Sequence, residues 1–289
     1  MSPKDNNPRA KPAAQQNFLA TAASVLALTT LSACSTVAPA MPTAATATAR
    51  PIVLVHGAWM GASAWDRVAS DLRQRGFRVT AVELPGHGAD TTPAAQLSLD
   101  GYVKTVLAAL PAQGQAIVVG HSMGGMVISA LAEQAPERVA ELVYVAGYLP
   151  QHGESLYKIA MTDADSRVGA YWTQADPKAY TPASLRPEGI AEVFCADCNE
   201  ADQRTLVSSH KAEAVPPLGT PVSLSAARFG RVPRSYVHTR QDNAVSFKLQ
   251  QNMLARAGGV RQTWELNTSH LPMLTQPRAL ADILADVAR

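Results

Sequence analysis

Ser122 stands at the centre of Gly120-His121-Ser122-Met123-Gly124, and the residues on either side decide what it can do. The apolar, β-branched run 116–119 before it predicts a strand, and Met126-Val127-Ile128-Ser129-Ala130-Leu131 after it predicts a helix. A serine on a sharp strand-to-helix turn is a nucleophile elbow, whose flanking glycines are required because a Cβ would strike the neighbouring strand or helix. The turn lifts the hydroxyl clear of the sheet and sets it over a helix N-terminus, which favours developing negative charge. The chemistry open to such a serine is attack on an acyl carbon.

A serine hydroxyl is a poor nucleophile and needs a base to take its proton; histidine, titrating near neutrality, suits the task. An elbow serine is followed in chain order by its acid and then its histidine, on loops after late strands. Of seven histidines, only His270 follows the last predicted strand, 262–266. Asp242 is the only acid between the strand 235–239 and the next helix; its competing reading is a helix N-terminal residue near Ser246. The other position for an acid, near 145–149, holds no carboxylate, and Glu154 is too far along. The oxyanion formed on attack needs two aimed backbone N–H groups, expected from Met123, after the nucleophile, and Ala58, in the loop after the first strand. His121 reads as packing under the turn, His56 as bracing the first loop and His87 as part of a Pro-Gly-His-Gly turn; His152, His210 and His238 read as surface or packing residues.

Positioning such a set requires a sheet with its loops at one edge. Ile52-Val53-Leu54-Val55, 77–82, 116–119 and Leu142-Val143-Tyr144-Val145 are apolar runs of strand length, alternating with helical stretches at 65–72, 99–110 (capped by Ser98) and after the elbow. That rhythm predicts an α/β domain over 51–289 with a mostly parallel central sheet flanked by helices. It breaks between about 149 and 232, where prolines and polar stretches carry no clear run of sheet strands; the expectation is a lid inserted before the last two strands. The rhythm resumes with 235–239, a helix near 246–257, the strand 262–266 and a last helix 277–287. Tyr157, Tyr171, Trp172 and Phe194 in the lid read either as contacts to an apolar or aromatic ligand or as lid core.

Cys195 and Cys198 form Cys-Ala-Asp-Cys, which offers two of the four ligands a structural zinc needs. No metal and no cofactor is expected; the pair reads as a local disulfide or as two free buried thiols. The formal charge of +2 lies within residues 1–33, where Lys4, Arg9 and Lys11 face Asp5 alone. The other 22 basic and 22 acidic residues cancel, which argues against a nucleic acid partner.

Basic residues followed by the uncharged run 18–31 have the form of a signal-peptide core, too short for a membrane span. The run leads into Leu31-Ser32-Ala33-Cys34, which resembles the lipobox of bacterial lipoproteins. That resemblance implies removal of residues 1–33, lipidation of Cys34 as a membrane anchor, and a protein on the periplasmic face of a membrane. The competing reading is ordinary cleavage near Ala38 or Ala40 and a periplasmic or secreted protein. Residues 34–50, small, uncharged up to Arg50 and punctuated by proline, read as a flexible tether.

Val53-Leu54-Val55-His56-Gly57-Ala58-Trp59, Val79-Thr80-Ala81-Val82-Glu83-Leu84-Pro85-Gly86-His87-Gly88 and Gly120-His121-Ser122-Met123-Gly124-Gly125 together resemble the α/β-hydrolase superfamily, in particular the plant methylesterase and hydroxynitrile lyase group and related bacterial carboxylesterases, pyrethroid-hydrolysing enzymes among them. The resemblance implies the α/β-hydrolase fold, Ser122, Asp242 and His270 as a triad, Ala58 and Met123 as the oxyanion hole, and a small-molecule ester as substrate. Where the lyases carry a threonine after the first-loop histidine and a lysine after the catalytic one, this chain has Gly57 and Leu271, which favours ester hydrolysis. The alternatives are a carbon–carbon lyase or cofactor-free peroxidase-like enzyme on the same fold, or a non-catalytic binding protein.

Overall fold

Strands apolar on both faces have to be covered on both, and in the computed structural model, which describes residues 49–176 and 181–289, helices do the covering. The elements in chain order are β1 (Ile52–Val55), α1 (Asp66–Gln74), β2 (Val79–Val82), α2 (Leu99–Ala109), β3 (Ala116–His121), α3 (Gly124–Gln134) and β4 (Val139–Val145). Then come α4 (Leu156–Ala160), α5 (Val168–Tyr171), β5 (Trp172–Gln174), β6 (Ala183–Leu185), α6 (Pro187–Phe194), α7 (Glu200–Ser209) and α8 (Val215–Gly219). The chain closes with β7 (Arg234–Thr239), α9 (Phe247–Ala257), β8 (Val260–Leu266), α10 (Pro272–Thr275) and α11 (Pro277–Ala288). N-caps start two of the helices where the sequence asks: the Ser98 and Ser246 hydroxyls accept from the N–H groups of Gly101 and Leu249.

Among the described residues the main sheet has six strands in the order β2-β1-β3-β4-β7-β8, every pair parallel. The chain leaves β1 toward β2 on one side and returns as β3 on the other. The topological switch point therefore lies between β1 and β3, the position where such sheets bind ligands at their carboxyl edge. The register brings the carboxyl ends level: Val55 pairs with Gly120, His121 with Val145, and Thr239 with Leu266. The loops after β1, β3, β7 and β8 thus open on one edge.

Residues 149–232 lie between β4 and β7 and hold α4 to α8 and an antiparallel pair, β5 with β6. The sequence carries no clear run of sheet strands here, because three-residue strands are too short to show a two-residue alternation. The predicted signal segment, Cys34 and the tether up to residue 48 lie outside the described residues. At the end of the tether the Arg50 N–H donates to the Ala288 carbonyl at 2.9 Å, already tied to α11. No described helix is long and apolar enough to cross a membrane.

Candidate active site

The elbow has the strained geometry its sequence predicts. Ser122 has φ 52°, in the left-handed region that costs a non-glycine residue energy. The neighbouring strand holds it there: Ser122 N–H donates to Val145 O at 3.3 Å, and Ser122 O accepts from Tyr148 N–H and Gly125 N–H, both at 3.0 Å. A Cβ at Gly120 would lie 2.6 Å from Gly124 O, and one at Gly124 would lie 2.8 Å from His56 O, so neither position admits a larger residue. Met123 caps α3 and stands at its N-terminus.

His270 lies four residues past β8 and Asp242 three past β7, so the level ends of those strands bring them together. His270 Nδ1 lies 2.7 Å from Asp242 Oδ2. That carboxylate also receives the Thr239 hydroxyl at 2.7 Å and Gln250 Nε2 at 3.2 Å on Oδ2, and the N–H groups of Ala244 and Val245, each at 2.8 Å, on Oδ1. All five partners donate, as an acceptor-only carboxylate requires, so Nδ1 carries a proton, and in the neutral imidazole the lone pair is on Nε2. His270 Nε2 is buried and makes no hydrogen bond with any described residue. Oδ1 closes the turn ahead of Ser246, which caps α9 itself, and Oδ2 faces His270.

His121 secures the histidine loop to the elbow. Its ring lies 4.5 Å from that of His270, and its Nε2 donates to the His270 carbonyl at 2.9 Å. Burial, and next the neighbouring His270, keep His121 neutral by pushing its pKa well below the ordinary value. On the other side of the serine, a Cβ at Gly57 would lie 2.8 Å from Ser122 Cβ. The β1 loop therefore runs directly beside the nucleophile, with Ala58 next in line. His56 braces that loop from within: Nδ1 bonds the Gly57 carbonyl at 2.8 Å and Nε2 accepts the Leu84 N–H at 3.2 Å. Burial and then nearby His87 lower its pKa to about 3.

The segment between β4 and β7 covers this edge, leaving Ser122 only 8% exposed. The Phe194 ring lies 5.8 Å from His270 and 5.5 Å from Trp59, whose indole also meets Trp172 edge-on and stacks on His210. Of the four aromatic residues singled out in the sequence, Phe194 and Trp172 join this cluster. Tyr171 instead bonds Glu192 at 2.7 Å, and Tyr157 is 52% exposed.

Cys195 and Cys198 are disulfide-bonded. Within the loop they close, Asp197 accepts the Thr268 hydroxyl at 2.7 Å and the Ser269 hydroxyl, the two residues before His270. Sequence reasoning missed the parts of Asp197, which reaches the histidine loop from within the Cys-Ala-Asp-Cys stretch read only for its cysteines, and of Gln250, one turn into α9, where nothing in the local sequence marks a glutamine that bonds Asp242.

The profile of a family described as "Alpha/beta hydrolase family" matches residues 52–283. The chain is 29% identical over 247 residues to a protein named putative methylesterase 11, chloroplastic, of Arabidopsis thaliana, covering 82% of this chain but only 63% of that protein's length. It is 28% identical over 248 residues to pyrethroid hydrolase of Sphingobium wenxiniae, covering 83% and 88%. Among solved structures, a pyrethroid hydrolase from Sphingobium faniae JZ-2 superposes with TM-score 0.71 at 27% identity, over 83% of this chain and 97% of that one. Polyneuridine aldehyde esterase, at 22% identity and TM-score 0.75 over 83% and 100%, shares the fold.

Proposed function

The chain belongs to the alpha/beta hydrolase family, and on that premise we propose that it is a serine carboxylesterase cleaving small apolar or aromatic esters through an acyl-enzyme on Ser122. The observation that carries the reading is the buried His270–Asp242 pair, with Nδ1 committed at 2.7 Å and Nε2 without a partner among the described residues, on a loop that His121 ties to the elbow where Ser122 is held at φ 52°. The similarity to proteins named methylesterase and pyrethroid hydrolase supports ester hydrolysis.

In this reading His270 Nε2 takes the Ser122 proton as Oγ attacks the ester carbonyl. The oxyanion is received by the N–H groups of Ala58 and Met123, with the α3 N-terminus behind it. His270 returns the proton to the departing alcohol, and water then releases the acid by the same path in reverse. Trp59, Trp172, Phe194 and His210 supply an aromatic surface over the site, which suits an apolar acyl or alcohol group. Lyase chemistry is disfavoured because Leu271 is fully buried and uncharged and because a side chain at position 57 would collide with Ser122. The lipobox-like Leu31-Ser32-Ala33-Cys34 supports export and a lipid anchor on Cys34.

The test is hydrolysis of p-nitrophenyl acetate and butyrate by the wild type and by Ser122→Ala. The expected loss in kcat is on the order of 10⁴–10⁶, together with loss of covalent labelling by a fluorophosphonate. An inert wild type, or an equally active variant, sinks the mechanism.

A further inference from the structure

Glu213 is the most buried carboxylate among the described residues, and it lies in the segment between β4 and β7. It is 1% exposed. Its Oε2 accepts the Trp59 backbone N–H at 3.1 Å and lies 2.7 Å from His87 Nε2, while Oε1 accepts the Tyr102 hydroxyl at 3.3 Å. His87 Nδ1 faces the Pro85 carbonyl at 3.0 Å, so both ring nitrogens meet acceptors, as in an imidazolium. Burial opposes a charge on His87; the hydrogen bond and charge of Glu213, then Pro85 and Glu83, outweigh it and raise its pKa.

Trp59 follows Ala58 directly and holds φ 62°, a left-handed conformation rare for a bulky residue. Each of its polar groups is bonded to the same inserted segment: N–H to Glu213, carbonyl from Lys211 N–H at 3.3 Å, and indole N–H to the Ala183 carbonyl at 3.1 Å. Glu213 is itself fixed by exchanging backbone bonds with Ala183, at 2.7 and 2.8 Å. A left-handed residue at 59 sets the direction from which the chain leaves the Ala58 peptide.

We infer that Glu213 is a positioning residue for the oxyanion hole: by holding the Trp59 N–H it fixes the turn that aims the Ala58 N–H at the developing oxyanion, and the hole is complete only while the segment between β4 and β7 is seated. This rests on the esterase reading. It adds that the inserted segment takes part in the electrostatics of the reaction as well as in covering the site.

The experiment compares Glu213→Ala and Glu213→Gln with the wild type, reading kcat and KM on p-nitrophenyl butyrate, affinity for a trifluoromethyl ketone that adds to Ser122 as an oxyanion, and amide hydrogen exchange at Trp59. Losing a hole donor outright costs about 10²–10³ in kcat, so misaiming one is expected to cost about 10- to 100-fold in E213A. KM should change little, ketone affinity should fall with kcat, and the Trp59 amide should exchange faster. Glu213→Gln, which keeps the volume and one acceptor oxygen, should fall between the two. An unchanged kcat, or a kcat loss with ketone affinity intact, overturns the inference. If Glu213→Ala does not fold, Glu213→Gln decides by the same pair of readouts. A wild type inert toward every ester refutes the esterase reading separately, and Trp59 exchange in the variants then still decides whether Glu213 holds the loop.

Discussion

His270 Nδ1 donates to Asp242 Oδ2 across 2.7 Å, while the other oxygen of that carboxylate is pinned by two backbone N–H groups. One side chain thus closes the turn after β7 and orients the base. Asp242→Asn keeps an oxygen for the turn but presents an NH₂ group to His270, which forces the wrong tautomer. The expected outcome is a kcat about 10⁴ lower with KM nearly unchanged, and a melting temperature lowered by a few degrees because Thr239 and Gln250 also donate to the replaced oxygen. Steady-state kinetics beside a thermal melt check it.

Gly57 admits no side chain. A Cβ there would lie 2.8 Å from Ser122 Cβ and 2.9 Å from His121 Nδ1. Gly57→Ala should displace the nucleophile or the loop carrying Ala58, lowering kcat about 10²-fold, the scale on which a misplacement of about 1 Å acts. Slower labelling of Ser122 by a fluorophosphonate should accompany the loss; normal kinetics would refute it.

The histidines predict a stability maximum. His56, with a pKa of about 3, and His210, at about 4, are both lowered chiefly by burial from 6.5, and His121 and His238 move the same way. The unfolded chain binds protons below pH 6.5 that the folded chain refuses, so stability falls as the pH drops from there. His87 is raised, so its contribution is full below 6.5 and is lost as the pH rises through its folded value. Melting temperature should therefore peak near pH 6.5, and His87→Asn should flatten the alkaline side. A melting temperature still climbing at pH 8 contradicts this.

The Cys195–Cys198 disulfide closes a short loop whose Asp197 holds the hydroxyls of Thr268 and Ser269. Such a short loop restrains little chain entropy, so replacing both cysteines by serine should move the melting temperature by only a few degrees. The looser seat of His270 should lower kcat about tenfold. Asp197→Asn should reproduce the kinetic effect with the disulfide intact.

Cys34→Ser should abolish incorporation of labelled fatty acid and release the protein from membranes. Unchanged membrane fractionation would end the lipoprotein proposal.

The sheet was legible because its strands are buried on both faces and read as unbroken apolar runs, as at Ile52–Val55. Ser122, Asp242 and His270 could be named because each follows a strand that can be recognised, and the structure puts the last two in contact. Glu213 could not be named: Lys211-Ala212-Glu213-Ala214 carries no pattern, and its meaning depends on Trp59 and His87, more than 120 residues earlier in the chain. The β5–β6 pair escaped for the reason of length, and Tyr157 because an aromatic side chain does not announce which way it faces.

The segment between β4 and β7 grips the loop of Ala58 through Glu213 and the loop of His270 through Asp197. It is therefore not an interchangeable specificity module. A graft that lacks counterparts of Glu213 and Asp197 would leave both loops unbraced, and a chimera made in that way to change the substrate is expected to lose rate first. Substrate range is better altered within the segment, at Trp172 or His210, leaving positions 197 and 213 as they stand.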